Sequence, residues 1–372
     1  MNNTRIQNRN SNFELLRIIS MFMIILHHFV LHGLINNPVF PDVFVQGNSI
    51  NRFFTYLYFP GGEVGVALFF MITGYFCINS KKIRVKKVVL EVIFYSWLSF
   101  VLFFILKYVG VDFSHFFSPE QEKKFIYDSL IFPIRSGFFW FATSYILLRI
   151  ILPVYNSFLE KLNKKGFLIM LAILLFALLQ SQFFIVVLGY TKALFYYSLG
   201  GYIRLFFVEK KNNGGGQFRL WAQFTLAWLL YVFIRFYCNN LEGTGFVKII
   251  FVLFKVLAPS CFLVPVCAVS IFLFFERINM RKNEIVNLIS ATTFGIYLFH
   301  DSNFMRSLLW TEIIKVQDLY QSRFFTLYGL IVCLVIFVLC SIFDFFRLKF
   351  IEPCALKIID KIIEKFKNQI IR

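Results

Sequence analysis

Arg17 and His28 stand eleven positions apart in a stretch, Asn12 to Gly33, that reads NFELLRIISMFMIILHHFVLHG and is otherwise almost wholly apolar. An α-helix rises about 1.5 Å per residue, so the guanidinium and the imidazole would be separated by about 16 Å along the axis. Eleven steps of about 100° return to nearly the same face, which places both on one stripe. Ionisable groups at membrane depth are costly and usually face a bundle interior or a wet cavity. Arg17 alone could snorkel to the headgroups. His28 lies inside the apolar run, where an imidazole serves as general base or nucleophile. Glu14 at one end, and His27 and His32 at the other, complete the ionisable set of this segment.

Two further segments carry chemistry at comparable depth. PGGEVGVALFFMITGYF (Pro60 to Phe76) brings Glu63 a few residues inside the boundary that His28 approaches. A carboxylate beside an imidazole orients it and raises its basicity, so a Glu63–His28 pair is expected. Gly61, Gly62, Gly65 and Gly74 of the same segment suit close helix packing. NLISATTFGIYLFHDS (Asn287 to Ser302) carries His300 near mid-membrane, Tyr297 one turn before it and Asp301 after it. The connection Lys81 to Lys87, KKIRVKK, concentrates Arg84, Lys86 and Lys87 with other cations. It could hold anionic phosphates, although orientation alone would also account for it. Trp140 falls at an outer interface, where aromatic belts are common. Glu91, Arg149, Arg204 and Lys255 add charge inside apolar runs.

These residues must be held by membrane helices. Of the 372 residues, 59% are hydrophobic and 16% charged, and the mean hydropathy is +0.71. That excludes a soluble domain and indicates an all-α, polytopic membrane protein. About ten spans are expected, near 14–34, 57–78, 88–109, 138–156, 167–188, 192–208, 218–237, 247–275, 288–310 and 325–350. The net charge of +18 resides in alternate connections, which is a membrane-orientation pattern and not a nucleic-acid face. It places both termini in the cytoplasm, with a basic tail over 353–372, and the whole chain, 1–372, as a single membrane domain. The outer connection near 110 to 137, with His115, is expected to lie over the outer face. KKNNGGGQ, Lys210 to Gln217, reads as a flexible connection. The start lacks a small-residue cleavage pattern, so no cleaved signal is expected. The seven cysteines show no C-x-x-C pair and read as packing residues, with no disulfide frame and no metal site. P-loop, G-x-G-x-x-G, H-E-x-x-H and G-x-S-x-G motifs are absent.

Taken together the segments resemble the membrane-bound acyltransferase-3 family, typified by O-acetyltransferases that decorate bacterial surface polysaccharides. The matching parts are Asn12-Phe13-Glu14-Leu15-Leu16-Arg17 with His28, then Phe69-Phe70-Met71-Ile72-Thr73-Gly74-Tyr75 followed by a basic loop. Trp140-Phe141, Phe294-Gly295-Ile296-Tyr297-Leu298-Phe299-His300 and Ile351-Glu352-Pro353 complete the set. Thr73 replaces the usual serine, and the loop is mostly lysine where the family favours arginine. No esterase-like domain follows the last span. The resemblance implies a multi-pass protein of the bacterial plasma membrane, with acetyl-CoA (or another acyl-CoA) as donor substrate and no bound cofactor. The acceptor would be a hydroxyl of an envelope glycan, polymerised or lipid-linked. Arg17, with Arg84, Lys86 and Lys87, would hold the donor. His28 would act as base or nucleophile, oriented by Glu63, while Tyr297, His300 and Trp140 would bind acceptor. Membrane lipids are the further partner expected, and nucleic acid is not. A transporter of a glycan precursor or small anion would use the same charges as a path, but paired broken helices and a repeat are not evident. A sensor or assembly partner in an envelope complex would tolerate loss of His28.

Overall fold

The computed structural model describes residues 9–37, 39–114, 117–131, 133–134, 139–181, 185–207, 215–240 and 259–370. His115, Lys255, most of the glycine-rich connection and the first part of the eighth expected span lie outside them. The described residues contain helices and no strands. Among the described residues, eight helices are long and apolar enough to cross a membrane: Ser11–Ile35, Ser49–Cys77, Lys86–Tyr108, Trp140–Leu159, Lys164–Ser181, Gly216–Tyr237, Pro259–Arg277 and Phe325–Lys365.

The first helix, α1 (Ser11–Val30), starts at Asn10, whose side chain accepts from the Asn12 amide at 3.1 Å. Glu14 in the first turn complements the positive end of the helix dipole. Past Val30 the helix widens over Leu31–Ile35, where the Asn36 amide reaches back to the Leu31 carbonyl at 2.7 Å. The next span is two helices in series, α2 (Ser49–Tyr58) and α3 (Pro60–Cys77). Pro60 stands at the first turn of α3, where its missing N–H costs nothing. Next come α4 (Lys86–Tyr108), the surface helix α5 (Pro119–Leu130), α6 (Trp140–Leu159), α7 (Lys164–Ser181) and α8 (Ile185–Phe206). They are followed by α9 (Gly215–Asn240) and α10 (Val264–Arg277).

The centre of the bundle is α1 against α3, with α8 on the other side of α3 and α10 beside both. Close approach depends on glycine. A Cβ on Gly65 would meet the Ser20 carbonyl, and one on Gly62 would enter the His27 ring. Gly74 and Gly200 put the backbones of α3 and α8 in direct contact, each opposite a carbonyl of the other helix. The glycines therefore pack, as expected for small residues between membrane helices. Outer faces carry exposed Phe104, Ile169, Phe176, Leu334 and Leu339, the surface that lipid would cover.

The expected ninth span, 288–310, is not one helix. It is α11 (Glu284–Ala291), α12 (Thr293–His300) and α13 (Asn303–Ser307), with breaks at Thr292 and at Asp301–Ser302. Thr292 turns its hydroxyl to the Ile289 carbonyl at 2.7 Å, the local competition that ends a helix at such residues. The expected sixth span corresponds to α8, a 22-residue helix that carries Lys192 and Arg204 and packs along α3. After a short turn α14 (Val316–Leu319), α15 (Phe325–Phe346) runs through a widened segment into α16 (Glu352–Ile370).

Arg347 ties this last helix to the others. Its guanidinium meets Asp344 at 2.5 Å, Glu91 of α4 at 2.8 Å and Glu352 at 3.1 Å, while Tyr95 donates to Asp344 at 2.7 Å. A Cβ on Gly295 would collide with the Asp344 carboxylate, so α12 is seated directly on this cluster. Removing one member of a buried ion network leaves uncompensated charge. Arg347→Ala is accordingly expected to destabilise the protein by about 3–5 kcal/mol, checked by the unfolding midpoint in detergent micelles. A midpoint equal to wild type would show that the network carries no such role.

Candidate active site

α1, α3, α6, α8 and α12 line a partly open cavity of about 300 Å³ at the His28 end of α1. His27, His28 and His32 of the α1 segment line it, with Glu63 from α3, Trp140 and Phe141 from the start of α6, and Lys192 from α8. Tyr297, Asp301 and Arg306 close it from the broken segment. The break after His300 matters here. It turns the chain so that Asp301 and Arg306 reach the same cavity as Tyr297.

His28 and His300 form the central contact. His28 Nδ1 lies 2.9 Å from His300 Nε2, and His300 Nδ1 lies 2.6 Å from the Ile296 carbonyl. A carbonyl can only accept, so His300 Nδ1 carries the proton and donates. His300 Nε2 then holds a lone pair and accepts from His28 Nδ1–H. The tautomer of His28 follows: its Nε2 is unprotonated and available as a base. His300 is fully buried behind His28 and does not line the cavity.

Asp301 supplies the negative charge beside this pair. It is held by Arg306 through both oxygens, Nε to Oδ1 at 2.7 Å and Nη2 to Oδ2 at 3.0 Å. The same Oδ1 lies 3.6 Å from His28 Nδ1 and 3.5 Å from His32 Nε2. An imidazolium forming on His28 would be stabilised by this carboxylate, and the Arg306 clamp keeps the carboxylate in place. On the opposite wall Glu63 accepts from Ser260 at 3.1 Å and lies 3.5 Å from Lys192. His27 donates to the Phe59 carbonyl at 2.5 Å.

The expected orientation of His28 by Glu63 is therefore corrected. Both line the cavity, but the group that sets the tautomer is His300, and the adjacent carboxylate is Asp301. Arg17 lies well down α1, outside the cavity lining, and pairs with Glu14 at 2.6 Å. Glu14 in turn accepts from Ser290 of α11 at 2.5 Å. Of the basic loop, Lys86 pairs with Asp360 and Lys87 with Glu352, which ties both to α16, while Arg84 is exposed. Lys192 and Arg306 were not marked by the sequence. The only local hint was a cation one turn past the His300-Asp301 pair. His28, His32 and Asp301 bring three possible metal-ligand atoms within 4.8 Å of one another. A cation there would compete with the Arg306 guanidinium for Asp301 and with His300 for His28.

The described bundle is all-helical and multi-pass, and its cavity holds an imidazole beside a buried carboxylate. The chain belongs to the acyltransferase-3 family: the family model described as acyltransferase domain matches residues 10–347, nearly the whole length. It is therefore a membrane acyltransferase. No curated protein and no solved structure matches the chain.

Proposed function

We propose that this protein transfers an acyl group, acetyl being our choice, from acyl-CoA on the cytoplasmic side to a hydroxyl of a bacterial envelope polysaccharide or its lipid-linked precursor. The observation that carries this reading is the His28–His300 pair beside a cavity at the far end of α1 from Arg17. The alternation of Lys and Arg among the connections supports placing the Arg17 end, and both termini, at the cytoplasmic face. The donor then enters from that side, with Arg17 and the exposed Arg84 available to its phosphates. Lys86 and Lys87, at the start of α4 and paired with α16, add field. The acceptor enters from the outer half. Trp140 offers an aromatic face to a sugar ring, and the Glu63–Lys192 pair offers both an acceptor and a donor to its hydroxyls.

In the chemical step, the acceptor O–H gives its proton to His28 Nε2 while its oxygen bonds to the thioester carbonyl carbon. The tetrahedral intermediate collapses, the C–S bond breaks, and the CoA thiolate takes the proton back from His28. Asp301 stabilises the transient imidazolium. The test is glycan analysis of the native host with and without the gene. Base-labile O-acyl esters present only with the gene support the reading, and an unchanged ester pattern overturns it.

The role of His300 is separable. His300→Ala removes the acceptor that holds the His28 tautomer, and a fall of about 10²-fold in transfer rate is expected, within the range for general-base catalysis. His300→Gln keeps an oxygen able to accept from His28 Nδ1–H and should retain more activity than the alanine variant. Equal rates in the two variants would assign His300 to packing.

A further inference from the structure

His28 and His32 stand one turn apart along the α1 segment, with their ring centroids 5.1 Å from each other. The helix widens at Leu31, between them. Widened turns of this kind recur at functional sites. Asp301 completes a triangle: its Oδ1 is 3.6 Å from His28 Nδ1 and 3.5 Å from His32 Nε2. One ligand atom from each of the three lies within 4.8 Å of the other two. A tetrahedral zinc ion with bonds of about 2.0–2.1 Å sets its ligands about 3.4 Å apart. The two edges that meet at Asp301 Oδ1 are close to that spacing.

A fourth donor comes from α12. His300 Nε2 lies 2.9 Å from His28 Nδ1. Because His300 gives its Nδ1–H to the Ile296 carbonyl, its Nε2 keeps a lone pair. That is the arrangement of a metal-binding histidine, whose other nitrogen donates to a carbonyl or carboxylate and fixes the ring. Asp301 has an outer partner of its own in Arg306, which takes one lone pair on each carboxylate oxygen. The competition from Arg306 is partial, because a carboxylate oxygen accepts more than once and Oδ1 keeps a lone pair for a cation. The guanidinium charge still opposes a cation, so the site binds more weakly than a closed structural one. Three imidazoles and one carboxylate suit zinc, whereas magnesium and calcium take oxygen ligands.

We infer that His28 Nδ1, His32 Nε2 and Asp301 Oδ1, with His300 Nε2 as fourth donor, form a zinc site that switches the enzyme off when filled. The binding stands on the geometry; the switch rests on the acyltransferase reading above. A neutral imidazole binds metal only through its unprotonated nitrogen. Without zinc, His28 carries its proton on Nδ1 and offers Nε2 as the base. Zinc takes the Nδ1 lone pair, the proton passes through solvent to Nε2, and the ring stays neutral. His28 then presents an N–H to the acceptor hydroxyl in place of a lone pair, and general-base catalysis stops. Removing the zinc reverses the exchange.

The experiment has two readouts. The first uses the full chain purified without a histidine tag in detergent micelles. Zinc per chain is measured after equilibrium dialysis, and Co²⁺ serves as the visible probe of a tetrahedral site. Zinc and Co²⁺ should bind and Mg²⁺ should not. Asp301→Asn and His32→Phe should each weaken zinc binding by at least about 10-fold, the lower end of the range for losing even an outer-shell partner. His32→Phe leaves the Asp301–Arg306 pair in place, so it decides the matter if Asp301→Asn fails to fold. No zinc on wild type, or unchanged affinity in His32→Phe, overturns the site. The second readout uses permeabilised membranes of the native host, deleted for the gene and carrying each variant, supplied with radiolabelled acetyl-CoA. Label entering base-labile ester is read with zinc and again after a chelator, each variant against its own zinc-free rate. Wild type should lose transfer over the range in which dialysis shows binding and regain it with the chelator. His32→Phe should need at least about 10-fold more zinc for the same loss. Bound zinc with undiminished transfer overturns the switch. No labelling by zinc-free wild type overturns the donor reading and the switch with it, while the dialysis still decides the metal site.

Discussion

On the proposed function, His28→Ala is expected to abolish ester formation on the native glycan, with a loss of at least about 10³-fold in rate, and to leave the protein in the membrane at wild-type levels. The size follows from the position of the imidazole. A well-placed general base contributes about 10²–10⁴-fold, and the proposed step uses the Nε2 of His28 that the His300–Ile296 chain leaves unprotonated. His27 and His32 line the same cavity but are committed elsewhere, His27 to the Phe59 carbonyl and His32 beside Asp301. Neither can replace His28 without moving off its helix position. The fold should survive, because His28 is not one of the glycine contacts that set helix spacing and its own ring lines the cavity. The measurement is ester content per unit of membrane protein, with the deletion strain as baseline. An intact ester pattern in His28→Ala would keep the enzyme and remove its central residue.

The second large effect is on folding. Gly74→Ala and Gly200→Ala each place a Cβ against a backbone carbonyl of the facing helix, Tyr197 for the first and Met71 for the second. A flexible side chain could move aside; a carbonyl in the middle of a helix cannot. The two helices would have to separate along a central contact of the bundle. Overpacking of a tight interface typically costs about 1–3 kcal/mol and more where nothing can yield. Either variant should therefore lower the yield of monodisperse protein in detergent by several-fold and depress its unfolding midpoint. Gly166→Ala is the control, since a Cβ there meets only ordinary contacts in a loop-proximal turn. Gly74→Ala with wild-type yield and midpoint would show that α3 and α8 can part without harm.

Much of the bundle was legible because its determinants are local. Apolar runs of about 20 residues are long enough to cross a bilayer, and their composition alone excludes a soluble fold. The role of the α3 glycines was legible in the same way, since small residues spaced along an apolar helix permit close approach whatever the partner is. The expected ninth span was misread for a local reason too. Its apolar residues run from Leu288 to Phe299 and resume at Phe304, whereas the helix break at Thr292 depends on a hydrogen bond that apolar content cannot register.

The site divides along the same line. Axial depth is set by helix rise, so sequence alone determined that Arg17 and His28 sit about 16 Å apart on one stripe, and that Glu63 and His300 reach the depth of His28. Azimuth is set by how helices rotate and pack against one another. Only the tertiary structure decided that His28 meets His300 and Asp301, while Glu63, at the same depth, turns to Ser260 and Lys192. It also decided that Lys86 and Lys87 are taken up by α16. A residue's own helix determines how deep it lies in the membrane, and only its neighbours determine what it faces.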